Sequence, residues 1–502
     1  MGMTLALNLR HPVAWWLGQS LKSWFAIGLR VPQSRFIRRR ADYSVVLKGA
    51  RIKAMSIEPE QKKQSVLSRW FSDVIFRRVF KNAGFLLSGK TATGVLGLAY
   101  LSLAAHGLGV EQFGILVLVQ TYVQVIVGIT TFHSWQAVIR YGADCLEADD
   151  TPGFQTLISF TTVLDVGGVI IGATLAWLAA PLVGPYVGWD DTVIAYAQPY
   201  SLMILFTIVA TPTGLLRLYD RFDILAWQVT ITPALRLTGV TIAVMLEAPL
   251  WAYLLAWFIA SVIGGLTLVL LGWREGVKQG RLTTMRWSLQ GVTQKYAGIW
   301  GFCLASNFHS SLQMVTGHMS TFLVGVVATP AAAGLFKVAR EVATALTKPA
   351  ELLTQSIYPE FARLGAKNEW QAFGGLIRRA ALLAGGAGVA ILVVMSLIGE
   401  PFLGVFFGAD FVPTYATLVL LVAAASITIA GFAFDPALYA MGRPGIPLRV
   451  NAFVVLLVYV PLLVLLTQTY GPVGAGIAML ISAALIVGTV GLWTRSELRR
   501  RV

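Results

Sequence analysis

Lys337, Glu341, Thr344, Lys348, Glu351 and Gln355 recur through one largely apolar stretch at intervals of 4, 3, 4, 3 and 4. On an α-helix those intervals return to a single face. Arg340 flanks the stripe, and Leu335, Val338, Val342, Leu346 and Leu353 supply the other side. Two ammonium groups and a guanidinium so placed attract phosphate-like anions, and the guanidinium can grip two oxygens at once. Glu341 and Glu351 serve charge balance or ion coupling. Such a stripe either walls a polar cavity or pairs its charges with one another while Lys337 snorkels outward. Lys348 lies about 16 Å along the helix axis from Lys337, enough to pass an anion part of the way across a bilayer.

Lys90, Asp165 and Arg236 interrupt other apolar runs. Charge inside a span is costly and usually faces protein or water. Lys90 and Arg236 sit too deep to snorkel easily, so with Lys337, Arg340 and Lys348 they form the expected cavity set. Asp165 is either a coupling-ion site or the partner of Lys90. Arg217 and Asp435, near span ends, read as structural charges. Asn307, His309, Gln313 and His318 make one span polar, but residues 309 and 318 fall on opposite helical faces, and no shared metal site is expected. Cys145 and Cys303 are too few and too separated for a disulfide framework or a zinc site.

Residues 84–91, GFLLSGKT, match the phosphate-cradling pattern G-x-x-x-x-G-K-[ST] letter for letter. That pattern works only between a buried strand and a helix. Here it follows VLSRWFSDVIFRRVFK (66–81), whose apolar and charged residues segregate to opposite helical faces as in an interfacial helix. It precedes an apolar run that completes a span. The spacing therefore predicts the start of a transmembrane helix, with no nucleotide site.

The elements that position these residues are membrane helices. Of the 502 residues 56% are hydrophobic and 13% charged, and the mean hydropathy is +0.70; soluble domains carry about 25% charged residues. With about 20 residues per crossing, twelve spans are predicted: 82–104, 113–132, 156–180, 193–216, 225–246, 249–271, 297–326, 333–362, 375–398, 413–434, 446–467 and 473–494. The loops after odd-numbered spans lack Lys and Arg but hold Glu111, Asp190, Asp191, Glu247, Glu400 and Asp410. The opposite loops carry the arginines and lysines, which puts both termini in the cytoplasm. The longest of the acidic-side loops, near 399–412, is too short for a catalytic domain, and neither D-x-D nor H-E-x-x-H occurs.

The net charge is +15, and residues 1–81 hold 16 Lys and Arg against 4 Asp and Glu. This basic region suits anionic lipid and needs no nucleic acid to explain it. Residues 1–54 form a basic extension with two open readings: a membrane-surface anchor, or upstream sequence ahead of a natural start at Met55. The expected organisation continues with a cytoplasmic lead and amphipathic helix (55–81), a six-helix bundle (82–271), a basic linker (272–296), a second six-helix bundle (297–494) and a basic tail (495–502).

Three acidic-side turns look alike: LGVEQFGIL (108–116), ATPAAAGLF (328–336) and YGPVGAGIA (470–478). They suggest repeated halves with a site at their interface. LGVEQFGILVLVQTYVQVIVGITTF, GLFKVAREVATALTKPAELLTQSIYPEFARL (334–364) and GFAFDPALYAMGRP (431–444) resemble polysaccharide-repeat flippases of the multidrug/oligosaccharidyl-lipid/polysaccharide exporter superfamily. The resemblance covers about residues 70–495. It implies an all-α polytopic membrane protein, with about twelve transmembrane helices in two six-helix bundles around a central cavity. It also implies a polyprenyl-diphosphate-linked oligosaccharide moved from the cytoplasmic to the periplasmic leaflet of a bacterial inner membrane. No cofactor is implied beyond coupling to a proton or sodium gradient or the membrane potential; partner proteins would be polysaccharide polymerase and export components. A drug or metabolite antiporter of the same fold is the alternative, disfavoured by the excess of cations over carboxylates. A membrane-embedded ligase or glycosyltransferase ranks below it.

Overall fold

A computed structural model describes residues 74–501. The basic extension, the cytoplasmic lead and most of the amphipathic segment lie outside the described residues. The described chain is built from helices: α1 (Val74–Thr130), α2 (Trp135–Glu147), α3 (Thr151–Val183), α4 (Asp191–Ser201), α5 (Ala210–Leu218), α6 (Phe222–Met245), α7 (Leu250–Lys278), α8 (Ile299–Met314), α9 (Ser320–Val327), α10 (Pro330–Ala366), α11 (Trp370–Phe407), α12 (Tyr415–Ala430), α13 (Phe434–Ala440), α14 (Gly445–Phe453) and α15 (Val460–Arg499). In hydrocarbon every backbone N–H and C=O must find a partner within the chain, and a helix supplies one for each residue.

Eight segments among the described residues are long and apolar enough to cross a membrane. The two longest, Ser88–Glu147 and Gly445–Arg499, are hairpins. Gly109 (φ 70°) and Gly471 (φ 56°) break their helices in the left-handed region that glycine tolerates. These breaks raise the number of crossings to ten. The segment 299–327 and α10 complete the expected twelve; α10 escapes an apolarity test because of its own polar stripe. The protein is a multi-pass membrane protein with two six-helix halves.

The fourth crossing differs from the single helix expected over 193–216. It runs through α4, a 3₁₀ turn (Leu202–Phe206) and α5, with a break at 207–209. Pro199 sits inside α4 and Pro212 opens α5, and each removes a backbone donor. Thr329 starts α10 sharply: its side chain accepts from Ala332 N at 3.1 Å, with Pro330 at the first helical position.

One core cluster joins both halves near the face with acidic turns, combining Phe113, Tyr122 and Trp189 with Phe336, Phe407 and Phe411. Phe113 and Phe411 meet edge to face at 5.5 Å. Toward the basic face two separate clusters replace it. One packs α2 and α3 against Tyr296, Ile299 and Cys303; the other gathers Phe361, Phe373, Leu438 and Val490. The halves thus share one core at the acidic face and have independent cores at the basic face.

Residues 279–298, joining the halves, are clipped to the α2–α3 turn. Arg281 pairs with Asp149 at 2.6 Å, Lys295 pairs with Asp150, and Gln155 Nε2 donates to Arg281 O at 2.9 Å. Asp150 also caps α3 by accepting from Gly153 N at 2.9 Å. The Lys295 ammonium and this amide hold the Asp150 carboxyl below the usual carboxylate range.

Candidate functional site

The stretch 84–91 is helical throughout and lies inside α1. It offers no loop whose amides converge on a phosphate, so the nucleotide motif is a coincidence of letters.

Arg340 marks the polar centre. It lines a cavity of about 620 Å³ in the second half, with Thr344 from its own helix, Asp435, Asn451, Tyr459 and Ser482. Its Nη2 also lies 3.6 Å from the position a Cβ would take on Gly317. Gly317 and His318 belong to the wall of a second cavity, about 650 Å³, whose other hydroxyl, amide and imidazole side chains (Gln124, Thr131, His133, Thr207, Thr213) come from the first half. The guanidinium thus lines the first cavity and comes close to Gly317 in the wall of the second. Its Nη1 donates to Thr321 Oγ1 at 3.3 Å, and it makes no ion pair among the described residues. Most donors of an always-charged group remain open to a ligand.

Two π-helical turns, Val315–Met319 and Val454–Tyr459, flank this centre. Such turns are frequent where a helix must re-aim side chains. Here they bring His318 and Tyr459 to the walls around Arg340. His318 Nδ1 and Asn307 Oδ1 are buried without a hydrogen-bond partner.

The rest of the stripe divides. Lys337 is 6% exposed, and its Nζ binds Glu341 Oε1 at 2.6 Å. Lys348 crosses to α1, where its Nζ lies 2.8 Å from the position of a Cβ on Gly94. Lys90, exposed, is one turn earlier on that helix. The structure thus carries Lys348 to the α1 seam that also bears Lys90. Glu351 and Gln355 lie on α10, with side chains outside the described residues, as are those of His309 and Gln313.

Arg236 occupies an aromatic site away from these chambers. Its Nη1 reaches Tyr100 Oη at 3.4 Å and its Nη2 reaches Ser261 Oγ at 3.1 Å, with the guanidinium 4.9 Å above the Trp257 ring. Asp165 is fully buried in α3. It accepts from Ser134 Oγ (2.6 Å), Thr211 N (2.8 Å) and Thr211 Oγ1 (2.7 Å), and no cation meets it among the described residues. It ties the start of α2 to the start of α5; the pairing with Lys90 is not formed. Arg217 stacks 4.2 Å above Trp135, a wall residue of the 650 Å³ chamber, and its Nε has no partner.

Sequence reasoning missed Tyr459, Asn451 and Ser482, and took Asp435 for a structural charge although it lines the 620 Å³ cavity. Single polar residues in an apolar run carry no periodic signal of which way they face.

Two six-helix membrane halves that share a core at one face, with a cavity lined by Arg340 in the second half, define a transporter-type membrane protein. Its sequence matches the family described as polysaccharide biosynthesis protein over residues 79–365, and the chain belongs to that family. It is 32% identical to "Inner membrane protein YghQ" of Escherichia coli (strain K12) over 351 residues, which cover 70% of this chain and 98% of that protein. Its fold is similar to that of the lipid II flippase MurJ in an inward closed conformation, with TM-score 0.60, 12% identity and coverage of 82% of this chain and 88% of that one. A multidrug resistance MATE family transporter of the MOP superfamily, in an inward-facing conformation, gives TM-score 0.58 and 16% identity over 83% and 94% of the two chains. The fold is therefore similar to that of these two membrane proteins.

Proposed function

We propose that this chain flips a lipid-diphosphate-linked oligosaccharide repeat unit from the cytoplasmic to the periplasmic leaflet of a bacterial inner membrane, for O-antigen, capsule or exopolysaccharide synthesis. The observation that carries the reading is Arg340, a guanidinium lining the 620 Å³ cavity that no carboxylate pairs with among the described residues. A diphosphate brings two or more negative charges, and desolvated Arg–phosphate contacts are bidentate and strong. Thr344, Asn451, Tyr459 and Ser482 offer the neutral hydroxyl and amide groups that sugars bind. Family membership and the shared core at the acidic face support the same reading, with the basic face placed in the cytoplasm by the charge rule.

Transport draws on a proton or sodium gradient or on the membrane potential, with Glu341 and Glu351 on α10 as the carboxylates for ion coupling or charge balance. Polysaccharide polymerase and export proteins take the product onward. In a deletion strain, Arg340→Ala at wild-type membrane levels should abolish surface glycan and leave lipid-linked repeats in the cytoplasmic leaflet. Normal surface glycan from that variant would rule the reading out.

A further inference from the structure

The segment joining the halves folds back onto the end of α7. Trp287 stacks on Trp273, with ring centroids 5.9 Å apart and planes 10° from parallel. The residues on either side of Trp287 are pinned to α3: Arg286 N donates to Gln155 Oε1 at 3.2 Å, and Ser288 N donates to Ser159 Oγ at 3.4 Å. Trp273 follows the predicted span 249–271 by two residues, about 3 Å of helical rise. The stacked pair therefore lies where hydrocarbon gives way to headgroups, the level that tryptophan favours. Trp287 is 59% exposed and Leu289 51%, so both face away from the protein.

The charge of this stretch is one-sided. Residues 272–296 carry Arg274, Lys278, Arg281, Arg286 and Lys295 against the single carboxylate of Glu275. Glu275 is buried and taken by Arg221 at 2.6 Å and by Gln279 Nε2 at 2.8 Å. Arg281 and Lys295 are paired with Asp149 and Asp150. Arg274, Lys278 and Arg286 are exposed and make no ion pair among the described residues. Arg274 and Lys278 stand four residues apart, on one face of α7.

We infer that this face of the joining segment docks on anionic phospholipid of the cytoplasmic leaflet, with lipid phosphates on Arg274, Lys278 and Arg286 and with Trp287 and Leu289 seated among the headgroups. Charge complementarity selects the partner. A net-negative headgroup meets three cations with no free carboxylate beside them, whereas a zwitterionic headgroup brings a cation of its own. The indole pair selects a bilayer over a soluble polyanion, which offers no interface for an aromatic ring. The Arg281–Asp149 and Lys295–Asp150 pairs tie the docked segment to the α2–α3 turn, so lipid bound here also holds the cytoplasmic core of the first half. This docking is independent of what the cavities carry.

Both native cysteines are buried, so Val277→Cys, 39% exposed and lying between Arg274 and Lys278 on α7, takes a fluorescent label at this face. In nanodiscs of phosphatidylcholine mixed with phosphatidylglycerol, a headgroup-level quencher is carried on one lipid or on the other. The ratio of the two quenching signals reads lipid preference beside the label, and phosphatidylglycerol should dominate in the labelled parent. A cation near an anionic surface is worth about fivefold in such a preference. Arg286→Gln should lower the ratio by about that factor, and Arg274→Gln/Lys278→Gln/Arg286→Gln should bring it close to parity. Arg286→Lys should keep the parent ratio, because the charge suffices, and added salt should lower it. Arg378→Gln/Arg379→Gln, which removes exposed cations on α11, should leave the ratio unchanged. Trp287→Ser should weaken quenching by both lipids alike. Equal quenching by the two lipids in the parent would overturn the inference. So would a phosphatidylglycerol preference that survives the triple variant, as when the basic N-terminal region alone gathers the lipid.

Discussion

Gly114 and Gly334 lie backbone against backbone across the two halves: a Cβ on Gly334 would stand 3.0 Å from the Cα of Gly114. Gly114 in turn faces the Pro330 carbonyl. This contact sits within the core that closes the acidic face, beside Phe113 and Phe336. Gly114→Val should wedge the halves apart there, with an overpacking cost of roughly 1–3 kcal/mol. With cysteine placed at the buried Ala333, an impermeant maleimide applied from the acidic side should label the Gly114→Val background and spare the Gly114 parent. Equal labelling of the two would show that this seam does not set closure.

The Lys337–Glu341 pair predicts an asymmetry. Removing Glu341 strands the buried Lys337 ammonium without its partner, while replacing both by apolar residues is often near neutral. Glu341→Gln should therefore lower the melting temperature in detergent more than Lys337→Met/Glu341→Leu. A double variant less stable than the single one would mean that the pair is not the unit the geometry shows.

Asp165 carries three hydrogen bonds from neutral donors and anchors two helix starts. Asp165→Asn replaces an acceptor oxygen with a donor and should cost roughly 1–3 kcal/mol of stability. The dependence of export on a proton or sodium gradient should be unchanged, because the carboxylate acts as a tie. Loss of that dependence in a stably folded Asp165→Asn protein would make it a coupling site instead.

Much of the fold was legible in the sequence because the bilayer imposes a simple rule, a run of about twenty apolar residues per crossing. The α10 stripe could be seen in the same way, since charge at helical spacing stands out against Leu and Val. Its use could not. Whether Lys337 met Glu341 or a ligand, and whether Arg340 stayed unpaired, depends on side-chain packing between α9, α10 and the π turn at Gly317. Arg236 shows the limit most clearly: depth in a span suggested a cavity, yet Tyr100 and Trp257 from two other helices provide an aromatic site for it. The break at 207–209 was marked by Pro199 and Pro212, but proline is tolerated within membrane helices often enough to leave its effect open.

Asp150 links α3 to the joining segment through its cap and through Lys295. Its folded-state pKa is depressed, so this contribution is present above the unfolded carboxylate pKa of about 4 and is lost as pH falls through the lower folded value. Asp150→Ala should cost about 1 kcal/mol at neutral pH. Its melting temperature should converge on that of the parent at acidic pH. A gap that persists unchanged through the carboxylate range would exclude this linkage.

Arg340 offers the most direct measurement. Purified protein in liposomes, supplied with a fluorescent diphosphate-linked oligosaccharide lipid in one leaflet, should move it to the other leaflet, read by a membrane-impermeant quencher. Arg340→Ala loses a charge-assisted contact worth roughly 1.5–3 kcal/mol and should slow transfer by about tenfold or more. Arg340→Lys should recover only part of the rate, because an ammonium cannot reproduce the bidentate grip. Wild-type transfer by correctly inserted Arg340→Ala protein would contradict the assignment of this guanidinium to the headgroup.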